Sequence, residues 1–265
     1  MGSVRPEDDQ LVHTEQVMGT VVSFRVRSGS LTTEESIRII GKSCELLHEV
    51  DAIFSTWRAE SPLSRLRRGE VDIANIPNDI SEVLELCEQA KTLSAGWFDP
   101  WAMPGGVDPT GLVKGWALDR AMRVLVDNGI ESALVNAGGD LVASGEPEDG
   151  EPWRIGIRHP WKPESFACLV HLERAIATSG SYERGAHLID PRTGLPSTVS
   201  ASASVTGPNL AMADALATAL AVGGSQVLDL IANLPGCSAY LILADGTELS
   251  NDDFPFIEVD IGSPI

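Results

Sequence analysis

The sequence predicts an α+β fold, a single domain in which mixed, largely antiparallel sheet packs against helices. Three observations lead there. Apolar residues recur at helical spacing through the first half of the chain. From Ala133 to Thr206 the pattern changes to short strand-like runs separated by Gly, Pro and acidic turns. Helices and strands come in groups instead of regular βαβ units. The chain has 265 residues, 43% of them hydrophobic. With no low-complexity linker to separate two cores and no internal repeat, residues 1–265 are expected to form one unit, with 1–14 disordered or extended.

The elements follow in order. Val17, Val21, Val22, Phe24 and Val26 make Glu15–Val26 a first strand rich in β-branched residues. Thr32 and Glu35 have capping-box spacing, and Ile37, Ile40, Cys44 and Leu47 continue an amphipathic helix to about Asp51. A second helix is expected from Ser81 to about Ser94, capped by Asp79 and stopped by Gly96. A third runs from Gly111 to Asn128, ended by Gly129. Strands are expected at Ala133–Val135, Trp153–Ile157, Ala167–Leu172, Ala175–Ser179 and Val199–Val205. The Ala- and Leu-rich segment Leu210–Val222 is a strong helix former closed by Gly223-Gly224. A helix over Gln226–Asn233 then leads to a hairpin of Ala239–Ala244, an Asp245-Gly246 turn and Glu248 onward.

Composition removes several function classes. The 38 acidic and 19 basic residues give a formal charge of −19, which repels nucleic acid and anionic lipid. A dinucleotide is repelled too, so a site for one needs local compensation from a metal, a lysine or helix N-termini. Cys44, Cys87, Cys168 and Cys237 form no CxxC pair and read as buried free thiols. No apolar run is long enough to span a membrane, and the first ten residues have neither an apolar leader core nor a cysteine to lipidate, so a cytoplasmic location is expected, with an exported form whose leader was trimmed as the alternative.

Several segments can carry chemistry. On a helix, Asp214 and Thr218 stand at i and i+4, so two oxygens stack on one face of an apolar segment. A hard cation such as Mg²⁺ would satisfy both; an exposed Asp and a Thr bonded back to its own helix fit as well. Asp108-Pro109-Thr110-Gly111-Leu112-Val113-Lys114 is a turn entering a helix with a lysine in its first turn. Its free N–H groups and Lys114 suit phosphate and Asp108 suits an adenine amine or ribose hydroxyl, while a capped surface helix is the plain alternative. His187, beside the tight Asp190-Pro191 turn, can serve as a general base or be structural. Gly138 and Gly139 allow close backbone approach or form a bulge. Thr178-Ser179-Gly180-Ser181-Tyr182 offers hydroxyl and N–H donors to a ring system or makes a simple turn.

Taken together these segments resemble the ApbE family of FAD:protein FMN transferases. The resemblance starts at Met18-Gly19-Thr20 and runs through Ser55-Thr56-Trp57, Ser61-Pro62-Leu63-Ser64-Arg65-Leu66 and Phe98-Asp99-Pro100. It continues through His187-Leu188-Ile189-Asp190-Pro191-Arg192-Thr193-Gly194 to Ala213–Leu220. It implies a T-fold-like architecture and transfer of FMN from FAD to a Ser or Thr hydroxyl of an acceptor protein, with release of AMP. FAD hydrolysis and FAD binding without turnover are the alternatives. The resemblance also implies Mg²⁺ or another hard divalent ion held by Asp214, Thr218 and the Gly111 carbonyl. It places Met18, Trp57, Ala102, Met103, Asp108, Lys114 and Leu188 against FAD and His187 as catalytic base, while Lys114 would stabilise charge on the phosphate. Here Trp101-Ala102-Met103-Pro104-Gly105-Gly106-Val107 runs almost directly into Asp108, where relatives usually have a longer apolar stretch.

Overall fold

The structure is a computed structural model that describes residues 5–7, 10–147, 150–180 and 188–258. Among these, thirteen strands and six α-helices are arranged around one large sheet. The helices are α1 (Thr33–Phe54), α2 (Pro62–Arg67), α3 (Asn78–Leu93), α4 (Thr110–Asp127), α5 (Leu210–Gly223) and α6 (Ser225–Ile231).

The sheet contains β1 (Arg5–Glu7), β2 (Gln10–Val17), β3 (Thr20–Arg27), β4 (Ser132–Ala137), β5 (Asp140–Ser144), β8 (Ala175–Ser179), β11 (Ser200–Gly207), β12 (Ser238–Leu243) and β13 (Glu248–Ser250), in that spatial order. Every neighbouring pair is antiparallel. Two small ribbons stand apart: β6 (Trp153–His159) with β7 (Lys162–Leu172), and β9 (Ile189–Asp190) with β10 (Leu195–Pro196). The largely antiparallel α+β expectation holds.

The sheet is covered on both faces, which explains why its central strands lack clean alternation. On β4, Ala133, Val135 and Ala137 enter the core shared with the helices, whereas Leu134 enters a second core. There it meets Leu141, Ile176, Tyr240 and Ile242 of the sheet and Trp153, Ile157, Val170 and Leu172 of the β6–β7 ribbon. The order is therefore helices, sheet, ribbon. On α5, Asp214 and all the apolar residues except Met212 are buried. A helix apolar on all sides belongs inside a fold, and its alanines let α4 and the sheet come close.

Several boundaries differ from the sequence reading. The expected strand Glu15–Val26 is two strands, β2 and β3, joined by a turn in which Met18 (φ 52°) and Gly19 (φ 69°) both adopt positive φ. The valine run hid that turn. Gly138 and Gly139 are likewise a two-residue hairpin turn with positive φ, joining β4 to β5, and β5 went unrecognised. The second helix starts at Asn78, so Asp79 lies in its first turn instead of capping it. The short α2 was missed. Of residues 1–14, expected to be disordered or extended, 10–14 are extended, as the start of β2. The capping box of α1 is present, with Thr32 Oγ accepting from Glu35 N–H and the Glu35 carboxylate accepting from Thr32 N–H. Of the four thiols, Cys44 and Cys87 are buried, while Cys168 and Cys237 are half-buried; burial pushes the Cys87 thiol up to about 12.

Candidate functional site

A cavity of 530 Å³ opens between the β2–β3 turn, the C-terminal end of α1, the start of α4 and one face of α5. That size lies within the range usual for cofactor pockets. Its lining includes Met18, Trp57, Met103, Asp108, Gly111, Lys114, Ser179, Leu188, Asp214 and Thr218. Ten residues selected from the sequence thus share one space. Ala102, Gly138 and Gly139 do not line it. Ala102 sits exposed in a short 3₁₀ turn, and the two glycines are exposed at their hairpin turn. His187, and Ser181 and Tyr182 of the donor segment, lie outside the described residues.

The centre of the site is the contact between α4 and α5. Gly115 lies where the helices touch: a Cβ there would stand 2.4 Å from Leu210 O and 2.9 Å from Ala211 Cα. Two hydrogen-bonded latches, one turn apart on each helix, fix the crossing. Asp119 accepts from the backbone N–H groups of Leu210 (3.0 Å) and Ala211 (2.9 Å) at the start of α5. One turn back on α4, Gly115 N–H donates to Asp214 Oδ2 at 3.2 Å. Burial raises the Asp119 pKa against the lowering effect of its two backbone donors. The carboxylate at the helix start nonetheless satisfies donors that α5 leaves unpaired.

Asp214 is 4% exposed, and its other oxygen lies 4.0 Å from Lys114 Nζ. Lys114 also pairs directly with Asp140, which is fully buried and accepts from Thr178 N–H at 2.9 Å. One ammonium between two carboxylates carries a formal sum of −1. A pyrophosphate would be repelled by that group, and adding a divalent cation turns its sum to +1. The oxygen set for such a cation is at hand. Thr218 lies one turn beyond Asp214, with its Oγ1 3.3 Å from Ser179 Oγ, and Gly111 packs so close that a Cβ there would be 3.5 Å from Thr218 Oγ1.

Around this centre the walls are held by local bonds. Asp108 Oδ1 accepts from Thr110 N–H (3.1 Å) and Thr110 Oγ–H (2.7 Å), while Oδ2 pairs with Arg67 Nη1 at 3.2 Å. The carboxylate read as a free acceptor for ligand is thus already organising the entry to α4. Ser64 Oγ–H donates to Ser55 O at 3.0 Å, and Ser61 Oγ caps α2 by accepting from Ser64 N–H. These serines anchor the loop that presents Trp57, whose side chain is almost wholly exposed. On the far side Arg192 stacks 3.3 Å over the Trp97 ring and pairs with Asp190 at 2.8 Å, tying the β9–β10 ribbon to the cavity wall.

Arg67, Asp119, Asp140 and Arg192 were not singled out in the sequence. Their partners lie far away in the chain, except that Arg192 and Asp190 are two residues apart within the motif already noted. Met18 is held at positive φ in the cavity wall, a conformation that costs a non-glycine residue about 1–2 kcal/mol and that often marks functional positions.

Residues 18–105 and 102–241 match the ApbE family. The chain belongs to that family. An FAD:protein FMN transferase of Klebsiella pneumoniae is 34% identical over 151 residues, covering 53% of this chain and 43% of that protein. One of Rhodobacter capsulatus is 38% identical over 141 residues, covering 50% of this chain and 27% of that protein. The chain therefore spans less than half the length of these two curated relatives. The flavin transferase ApbE from Vibrio cholerae has the same fold, with a TM-score of 0.80 at 24% identity over 96% of this chain and all of that one. No described helix is long and apolar enough to cross a membrane.

Proposed function

We propose that this ApbE-family chain transfers the FMN half of FAD to a Ser or Thr hydroxyl of an acceptor protein. The observation that carries the reading is the cavity's charged centre, where Lys114, Asp140 and Asp214 meet beside Thr218 and Gly111. The related enzymes named FAD:protein FMN transferase support it.

In the reaction the acceptor oxygen bonds to the FMN phosphorus, the bond from that phosphorus to the bridging oxygen breaks, and AMP leaves with that oxygen. The hydroxyl proton passes to a base, a role that the resemblance alone assigns to His187. Phosphoryl transfer asks little covalent work of the protein and much alignment. Lys114 offers an ammonium to the phosphate oxygens, and Asp140 holds that ammonium in place. The N–H groups of Thr110, Leu112 and Val113, which the sequence reading left free for phosphate, are instead bonded to Asp108 and Pro109 within the turn that enters α4, so Lys114 and a cation carry the phosphate contact. Trp57 gives an aromatic surface for a ring of the ligand. Asp214, Thr218 and the Gly111 carbonyl form an all-oxygen set suited to Mg²⁺, which when bound would neutralise charge on the pyrophosphate.

The test is to incubate the protein with FAD, Mg²⁺ and a Ser/Thr-containing acceptor. Covalent flavin on the acceptor, with one AMP released per flavin transferred, is expected. Free FMN and AMP with unmodified acceptor would instead establish hydrolysis, and bound FAD without AMP would establish binding alone.

A further inference from the structure

Away from the flavin cavity, strand β2 and helix α1 bring together three metal-binding side chains, with a fourth reaching one of them from the rim. His13 and Glu15 stand at i and i+2 on β2 and so project to one face of the strand. Cys44 and His48 stand at i and i+4 on α1 and so share one face of the helix. One ligand atom each from His13, Glu15 and Cys44 lie within 4.8 Å of one another. His48 Nε2 reaches in from the rim to within 3.0 Å of Glu15 Oε1, and His13 Nε2 is 3.3 Å from Glu15 Oε2. His13 and Cys44 are buried, Glu15 is half-buried, and His48 is half exposed. The donor set is mixed nitrogen, oxygen and sulfur, unlike the all-oxygen group on α5.

We propose that His13, Glu15, Cys44 and His48 form a second metal site, for a borderline divalent cation of the Zn²⁺ type. Imidazole and thiolate select such ions over Mg²⁺ or Ca²⁺, and four ligands from two elements match a closed structural site. His13 faces Glu15 through Nε2, and its other ring nitrogen, the buried Nδ1, makes no hydrogen bond among the described residues. Without a cation, burial and the nearby carboxylates of Glu15 and Glu45 push the Cys44 thiol up to about 12. Binding therefore releases the thiol proton to solvent as the sulfur–metal bond forms. The site would clamp β2 to α1 just before each reaches the cavity, which Met18 and Gly19 line after β2 and Val50, Asp51 and Phe54 line on α1. Its role is to hold the cavity wall.

The test uses the full chain, stripped with chelator and titrated with Co²⁺ in excess Mg²⁺. The expected result is one equivalent bound, with the near-ultraviolet thiolate-to-cobalt band and the visible bands of a tetrahedral centre. Zn²⁺ should displace it and raise the melting temperature. The band should vanish in Cys44→Ser and persist in Asp214→Ala. His48→Gln, at a half-exposed position, keeps the fold and should weaken binding about tenfold or more; that variant decides the matter if Cys44→Ser does not fold. No thiolate band in the parent protein, a band surviving Cys44→Ser, or unchanged affinity in His48→Gln would overturn the proposal.

Discussion

Gly115→Ala probes the helix crossing that positions Asp214. The added methyl would lie 2.4 Å from Leu210 O, 2.7 Å from Leu210 C and 2.9 Å from Ala211 Cα, all backbone atoms that cannot rotate away. Relief requires α4 and α5 to separate by several tenths of an ångström or more, which stretches the 3.2 Å bond from Gly115 N–H to Asp214. Overpacking costs about 1–3 kcal/mol, and the rigid neighbours put this case near the top. A weakened charged hydrogen bond adds about 1.5 kcal/mol, and alanine's better helix propensity returns about 1 kcal/mol. The net loss is about 3 kcal/mol, or roughly 6–12 °C in melting temperature for a chain of this size.

Gly41→Ala is the control. Gly41 also sits inside a helix, but nothing lies within 4 Å of its added Cβ, so propensity alone should stabilise it by about 1 kcal/mol. Thermal unfolding followed by circular dichroism compares the two. If Gly115→Ala melts like Gly41→Ala, the close crossing does not set the site.

Three further outcomes are expected. Trp57→Ala should leave stability within about 0.5 kcal/mol yet weaken FAD binding roughly 2- to 12-fold, from the ~0.5–1.5 kcal/mol of an aromatic contact; unchanged affinity in a fluorescence titration would remove Trp57 from the site. Lys114→Met strands the fully buried Asp140 and should cost about 3–5 kcal/mol in urea unfolding, much of it restored by adding Asp140→Asn; no restoration would refute the pairing. Arg192 holds the Asp190 carboxyl below the usual carboxylate range, first through its side-chain hydrogen bond. A lowered folded-state pKa stabilises above the ordinary value near pH 4 and loses that contribution as pH falls through the folded-state value. The stability gap between the parent protein and Arg192→Met should therefore narrow as pH drops below about 4; a gap that stays constant with pH would assign it to the Trp97 stack alone.

Local chemistry was legible in the sequence where one segment carried the whole signal. Thr32 and Glu35 announced the start of α1, Gly224 the end of α5, and the Asp214–Thr218 spacing put two oxygens on one helix face. The turn at Met18-Gly19 was hidden because Val17, Val21 and Val22 continue the β-branched run across it. Gly138-Gly139 suggested close backbone approach to a ligand or a bulge, whereas the structure uses the pair as a positive-φ hairpin turn outside the cavity, which a glycine pair after a strand signals equally well. The pairing of Lys114 with Asp140, the Arg67–Asp108 bond and the Asp119 latch on Leu210 and Ala211 join distant parts of the chain. No periodicity records such contacts, so they emerge only from tertiary packing.

The most direct measurement is a crystal structure with FAD and Mn²⁺ as an anomalous stand-in for Mg²⁺. The account predicts an anomalous peak held by the Asp214 carboxylate, Thr218 Oγ1 and the Gly111 carbonyl, with the pyrophosphate against it and Lys114. A cation bound elsewhere, with Asp214 still engaged only by protein groups, would contradict it.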